Sequence, residues 1–241
     1  MRYAVLSDIH SNLESLTAAA AMIEPEDGVL CLGDIVGYGP NPNECVAWVR
    51  DRATATVLGN HDVAAIDNFG LSYFNPAARE AMRWTQTVLS KENADWLNTL
   101  GYEFRMPEFL LVHGAPVNYF EYILDKPAAA RAFAATDAPL VFIGHTHIAE
   151  YYALRPDGDI DHKHLQQGGT FSLDEGSRYI VNVGSIGQPR DLNPRASFAY
   201  YEPAARTVAI NRFEYPIARV QEKIASVHLP EALARRLVMG R

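Results

Sequence analysis

The run VLSDIHSN, Val5–Asn12, carries an apolar stretch straight into an aspartate and a histidine one residue apart. A single strand meeting water needs some polar exit, so the reading of this one depends on whether other strands leave the core in the same way. They do: Asp34 closes GVLCLGD, Asn60 and His61 stand at the end of TATVLGNHD, His113 ends FLLVHG, and His145 and His147 end PLVFIGHTH. Most of these ends hold a glycine, which lets the backbone turn sharply. In open α/β sheets the carboxyl edge of the strands is where ligands bind. Five of the eight histidines fall at such ends, too many for chance polar exits.

Outward from that stretch, apolar runs alternate with helical patterns, the mark of βαβ units. NLESLTAAAAMI reads as a helix opened by Ser11 or Asn12 at its N-cap, and NPNECVAWVRDR as a second helix. From about Val63 to Leu100 the pattern is a helical excursion, and from Glu150 onward it becomes closely spaced strands. Residues from about 217 to 239 read as one or two surface helices that could supply a homodimer face. No repeat or Gly/Ser linker divides the chain, so residues 1–241 are expected to form one layered α/β domain with paired sheets between helices.

The donors at the strand ends are two carboxylates, an amide oxygen and several imidazoles, with no thiolate. That set is too rich in nitrogen for Ca²⁺ or Mg²⁺ and lacks the sulfur of a structural zinc site. It suits Mn²⁺, Fe or Zn²⁺, with Ni²⁺ a further candidate. Seven side chains exceed the needs of one ion, whereas two ions sharing a carboxylate would use them all. Paired ions of this kind serve phosphoester hydrolysis.

Taken together, D-x-H (Asp8, His10), G-D-x-x-x-x-G (Gly33, Asp34, Gly39), G-N-H-D (Gly59–Asp62), V-H-G (Val112–Gly114) and G-H-T-H (Gly144–His147) resemble, in order and spacing, the calcineurin-like metallophosphoesterase superfamily. The later NVGSIGQPRDLNPRASFAYYE is similar to its compact bacterial and archaeal phosphodiesterase branch. The resemblance implies a four-layer αββα sandwich, with two central mixed β-sheets flanked by helices, and a dinuclear centre. It assigns Asp8, His10 and His147 to one metal and Asn60, His113 and His145 to the other, with Asp34 bridging. His61 would face the phosphate as the catalytic residue, and Asp62 would either orient His61 or cap the next helix. The implied reaction is attack on phosphorus by a hydroxide shared between the ions, with a protonated His61 neutralising the phosphate or protonating the leaving group.

The expected substrate is a small or nucleotide-like phosphodiester. A phosphomonoesterase, protein phosphatase or dinucleoside polyphosphate hydrolase is the alternative, and a non-catalytic scaffold of the same fold the remoter one. Substrate choice should lie in loops, where Arg190, Gln188 and Tyr119 are candidate contacts and Phe69, Tyr73, Phe74, Phe120 and Tyr122 could stack on a base or an aryl group. Arg190 has Asp191 and Glu202 as competing ion-pair partners, and His162 and His164 read as solvated histidines of a polar hairpin.

Composition sets outer bounds. A formal charge of −8 argues against a nucleic acid polymer as partner. Cys31 and Cys45 read as buried core thiols, which fit a reducing compartment. With the first strand starting at Arg2 and no apolar run near the roughly 20 residues that span a bilayer, no membrane association and a cytoplasmic location are expected.

Overall fold

Strand β1 (Tyr3–Leu6) lies parallel to β2 (Gly28–Cys31), which lies parallel to the short β3 (Ala55–Thr56). On its other side β1 pairs antiparallel with β11 (Ala196–Glu202), which continues to β12 (Thr207–Phe213) and β9 (Gly169–Ser172). The second sheet runs β4 (Glu103–Arg105), β5 (Leu110–Val112), β6 (Leu140–Ile143), β10 (Arg178–Val183), β7 (Ala149–Leu154) and β8 (Ile160–His164). Both sheets are mixed and six-stranded. This computed structural model describes all residues, Met1–Arg241.

The strand sequences explain the layering. Side chains alternate between faces along a strand, and here both faces are covered, so the strands read as continuous apolar runs. In β1, Val5 joins the core between the two sheets with Leu30, Phe142 and Val181, while Ala4 and Leu6 face the outer helices. Those helices include α1 (Leu13–Ala20) and α2 (Pro42–Arg52), which bring Leu16, Val46 and Val49 to the outer core. In the second sheet, Val141 and Ile180 pack on Ala129, Ala132 and Phe133 of α6 (Lys126–Ala135). The result is the expected four-layer αββα arrangement.

The helical excursion is α3 (Asn60–Asp67), α4 (Pro76–Val88) and α5 (Lys91–Leu97), with a 3-10 turn at Leu71–Tyr73. Its start differs from the strand ending expected for TATVLGNHD. Strand β3 lasts two residues, Val57 makes only an isolated bridge to Gly101, and Asn60 and His61 occupy the first turn of α3. β7 and β8 form the expected antiparallel hairpin around the DGD turn, after which the chain crosses to the first sheet and adds β9 beside β12.

Two helices close the chain, α7 (Ile217–Ser226) and α8 (Glu231–Met239). Their apolar positions Val220, Ile224, Leu233 and Leu237 are buried in the same core as Leu16 and Val46. The stripe that suggested a dimer face therefore packs within the chain. Buried Glu14 of α1 reinforces the contact by pairing with Lys223 at 2.5 Å and Arg219 at 3.4 Å.

Candidate metal centre

The sheet edges bring Asp8, His10, Asp34, His113, His145 and His147 together, all buried. Within that group, ligand-type atoms of Asp8, His10, Asp34 and His147 lie within 4.8 Å of one another, as do those of Asp34, His113 and His145. Asp34 is common to both sets. Its Oδ2 sits 3.6 Å from His10 Nε2 and 3.3 Å from His113 Nε2.

Each carboxylate divides its labour between its oxygens. Asp8 Oδ2 accepts from Ser7 Oγ at 2.7 Å and from the His145 amide at 3.0 Å, whereas Asp34 Oδ1 accepts from the His61 amide at 2.8 Å. The opposite oxygens, Asp8 Oδ1 and Asp34 Oδ2, are buried with no hydrogen-bond donor, and so is Asn60 Oδ1. Buried oxygens left in that state cost on the order of 1–3 kcal/mol each unless something else satisfies them.

The imidazoles are set in a matching way. His10 Nδ1, His113 Nδ1 and His147 Nδ1 bond the carbonyls of Val36, Leu32 and Gln188 at 3.1, 2.8 and 2.6 Å, and His145 Nε2 bonds that of Phe120 at 3.0 Å. A carbonyl only accepts, so each of these nitrogens carries a proton. Burial favours the neutral form of His10, His145 and His147, which leaves the partner nitrogen bare, whereas at His113 burial is outweighed by Asp34, which raises its pKa to about 9. The inner nitrogens face each other in pairs, His10 Nε2 with His147 Nε2 at 3.2 Å and His113 Nε2 with His145 Nδ1 at 3.1 Å. Fixing the tautomer through the outer nitrogen is how proteins orient metal-ligating histidines.

Electrostatics and backbone strain point the same way. Burial alone would raise the Asp8 and Asp34 pKa values, but the His147 and His113 rings beside them outweigh it and hold both carboxyls well below the usual range. Burial pulls His145 down to about 3. Asp8, His10, Asp34, His145 and His147 all have positive φ, between 48° and 67°, a conformation rare for residues other than glycine. Such strain persists where the surrounding structure over-determines it and gathers at functional sites. Close packing enforces it here: a Cβ on Gly59 would lie 2.1 Å from Asp34 Oδ1, and one on Gly144 1.8 Å from Ser7 Oγ.

A model of the calcineurin-like phosphoesterase superfamily domain matches residues 1–205. This chain belongs to the calcineurin-like phosphoesterase superfamily. A crystal structure of a metallophosphoesterase from Sphaerobacter thermophilus is 42% identical, covers 100% of this chain and 99% of its own, and superimposes with a TM-score of 0.89. An uncharacterized protein of Methanocaldococcus jannaschii is 37% identical over 99% of this chain and 98% of its own. A hypothetical protein from Pyrococcus horikoshii shares the fold at 21% identity and a TM-score of 0.78, covering 100% of this chain and 98% of its own. As a calcineurin-like phosphoesterase this chain is a phosphate-ester hydrolase of a family that works with a dinuclear metal centre, and its buried Asp and His groups fit such ions.

Around this phosphoesterase centre, His61 lies 4.7 Å from the His10 ring, 4.5 Å from Tyr38 and 4.4 Å from Phe74, measured between ring centroids. Burial lowers its pKa to about 4 and Arg190 adds to that, although Asp34 opposes it. That shift favours the neutral ring before an anion arrives, where the family resemblance implies a protonated one. No hydrogen bond joins Asp62 to the imidazole, whose Nδ1 is buried without a partner. Asp62 Oδ2 accepts from the Gly59 amide at 3.0 Å and its Oδ1 from the Ile35 and Val36 amides at 2.9 and 3.2 Å, so it caps α3 and ties two site loops together. Burial and then Asp34 push its pKa up to about 7.

The candidate substrate contacts separate. Arg190 lines a cleft beside Asn60 and His61, and its Nη2 donates to Gln188 Oε1 at 3.0 Å and Tyr38 Oη at 3.2 Å. It pairs with neither Asp191 nor Glu202, since Asp191 is bound by Arg212. Gln188 is itself buried and reaches the centre through its carbonyl on His147. Tyr119 stands apart, donating to Glu103 at 3.1 Å and stacking on Tyr102 at 5.4 Å. Tyr122, by contrast, stacks on His145 at 3.9 Å.

Three side chains escaped the sequence reading. Tyr38 packs between His10 and His61, Arg236 enters the cleft from α8, and Asn182 holds the G-H-T-H turn by donating to Gly144 O at 2.6 Å and Thr146 Oγ1 at 2.9 Å. The N-V-G-S context could have flagged Asn182 and the glycines at 37 and 39 could have flagged Tyr38, but no local signal marked Arg236. His162 also departs from its expected solvated state. It bonds Glu150 Oε2 at 2.6 Å and stacks on Tyr152 at 4.2 Å, because β7–β8 pairing sets Tyr152 opposite His162 and Glu150 opposite the more exposed His164.

Proposed function

We propose that this phosphoesterase hydrolyses a small phosphodiester and that the whole chain works as one domain. The observation that carries the diester reading is a cleft of two adjoining arms that share Asn60. One arm, of about 160 Å³, holds His61, Tyr38, Arg190 and Arg236. The other, of about 400 Å³, holds Phe69, Asn118, Phe120 and His145. A monoester needs room on one side of its phosphorus, whereas a diester needs room on two.

Asp8, His10 and His147 would hold one ion and Asn60, His113 and His145 the other, with Asp34 shared. Such a pair of cations, when bound, polarises the phosphoryl oxygens and makes water a stronger nucleophile near neutral pH. Of the candidate ions, Mn²⁺, Fe²⁺, Zn²⁺ and Ni²⁺ suit an imidazole and carboxylate donor set. Cys31 and Cys45 are free and buried, which supports a reducing, cytoplasmic setting. No helix is long and apolar enough to cross a membrane.

The protein's own groups then act on the phosphate. His61, neutral and held against Phe74, can donate an N–H to a phosphate or leaving-group oxygen, and an anion beside it favours its protonated form. Asp34 fixes the His61 backbone through its amide, so ligand and donor stay in register. Replacing His61 by Ala is expected to leave metal content unchanged and to lower kcat by about 10²–10⁴-fold, the usual contribution of a general acid or base. Unchanged kcat would remove His61 from the reaction.

The experiment for the function itself is hydrolysis of bis(p-nitrophenyl) phosphate and of p-nitrophenyl phosphate by chelator-stripped protein, with Mn²⁺, Zn²⁺, Fe²⁺ or Ni²⁺ restored singly. Metal-restored turnover that favours the diester is the expected result. A preference for the monoester would overturn the diester reading.

A further inference from the structure

Arg190 and Arg236 reach the same arm of the cleft from positions far apart in the chain, one from the loop after β10 and the other from α8. Their guanidinium carbons lie 5.7 and 6.0 Å from the centroid of the same Tyr38 ring. Neither is paired with an Asp or Glu side chain. Arg190 donates only to the neutral groups Tyr38 Oη and Gln188 Oε1 and its Nε is buried without a partner, while Arg236 Nε donates to a main-chain oxygen of Arg241, the last residue of the sequence.

Other sheltered cations of this acidic chain are neutralised, Arg212 by Asp191, Lys223 by Glu14 and Arg2 by Asp27, or spend their donors on backbone carbonyls, as Arg178 does. Arg190 and Arg236 differ in lining one cleft together. Two half-buried like charges repel, and burial together with Arg190 already draws the Arg236 pKa down. An anion between them would remove both costs, and guanidinium groups bind phosphate oxygens with two parallel N–H donors.

The other arm has a complementary character. Phe69 and Tyr73 are 62% and 92% exposed at its rim and open to a ligand, while Phe120 and Tyr122 line it beside His145. Asn60, Tyr73, Phe74 and Tyr122 line both arms, which makes the cleft continuous past the metal-ligand set.

We propose that Arg190 and Arg236 clamp a second phosphate group of the substrate, so that the enzyme takes a nucleotide-like phosphoester with an aromatic base in one arm and an additional phosphate in the other. This rests on the phosphodiester reading above and narrows it. Arg236 lies on α8, beyond residue 205, where the match to the family domain ends.

The test has two readouts. Calorimetric binding of inorganic tripolyphosphate to chelator-stripped protein needs neither metal nor turnover. Arg236→Met is expected to weaken it about tenfold and the double change Arg190→Met/Arg236→Met about a hundredfold, with Arg236→Lys retaining part of the affinity. In the metal-loaded enzyme, Arg236→Met should lower kcat/KM for a 5′-phosphorylated dinucleotide, a diester that carries an additional phosphate, about tenfold more than for bis(p-nitrophenyl) phosphate. Binding and selectivity that do not change in Arg236→Met, with the wild-type enzyme still cleaving the aryl diester, would overturn the clamp alone. Arginine-dependent tripolyphosphate binding in a protein that cleaves no diester would support the clamp and overturn the phosphodiester reading.

Discussion

Replacing Asp34 by Asn is expected to reduce bound metal from two ions per chain to one or none and to lower phosphoester hydrolysis by roughly a thousandfold, at the upper end for loss of one electrostatic contributor. The reason is geometric as well as electrostatic. Asp34 Oδ1 accepts the His61 amide at 2.8 Å, and only an oxygen can accept there. The substituted amide must therefore keep its carbonyl on that side and turn its NH₂ toward the space that Oδ2 shares with His10 and His113. A negative acceptor becomes a neutral donor at the point where two cations would meet. The His61 hydrogen bond and the side-chain volume are kept, so circular dichroism should be unchanged. Metal analysis after dialysis, together with turnover of bis(p-nitrophenyl) phosphate, decides it. Two ions still bound to Asp34→Asn at wild-type affinity would remove Asp34 as the shared ligand.

Much of this centre was legible before the fold because its chemistry restricts residue type at places the strands dictate. A buried parallel strand must exit into a loop, and Asp8, Asp34, His113, His145 and His147 sit within a few residues of such exits. Asn60 and His61 were legible as members of the set but not in their setting, since a strand of two residues leaves almost no alternation to read and the helix that follows begins at Asn60 itself. The role of Asp62 could not be separated locally, because orienting a neighbouring ring and accepting from amides of distant loops leave the same sequence mark. His162 depended on cross-strand register, which places it over Tyr152 and against Glu150 only once β7 and β8 pair. Arg236 depended on still longer-range packing: α8 reaches the cleft because Leu233 and Leu237 bury against the first sheet's outer core, and nothing in EALARRLVM says where its arginines will point. Residues whose function follows from one strand end were visible, whereas those whose function follows from two distant elements were not.

That dependence on distant anchoring underlies a second large effect, expected at Arg212. This β12 residue and Asp191, in the loop after β10, form an ion pair whose side chains are only 2% and 5% exposed. Arg212 also donates to the Arg195 carbonyl at 3.1 Å, so it holds the loop at two points. The same loop carries Gln188, whose carbonyl fixes the His147 tautomer, and Arg190, which lines the cleft. Removing one partner of a buried pair strands the other charge, at a cost of about 3–5 kcal/mol. For a chain of this length each kcal/mol corresponds to about 2–4 °C, so Arg212→Met should lower Tm by about 10 °C. Apolar replacement of both partners removes the stranded charge, so Arg212→Met/Asp191→Leu should recover most of that loss. Recovered stability need not restore function, because the loop would regain its packing without the ion pair that fixes the position of Arg190. The informative comparison is therefore Tm against KM. A double variant with near-normal Tm but raised KM would show that the pair positions the loop for substrate, whereas a single variant melting like the wild type would show that this buried pair does not anchor the fold.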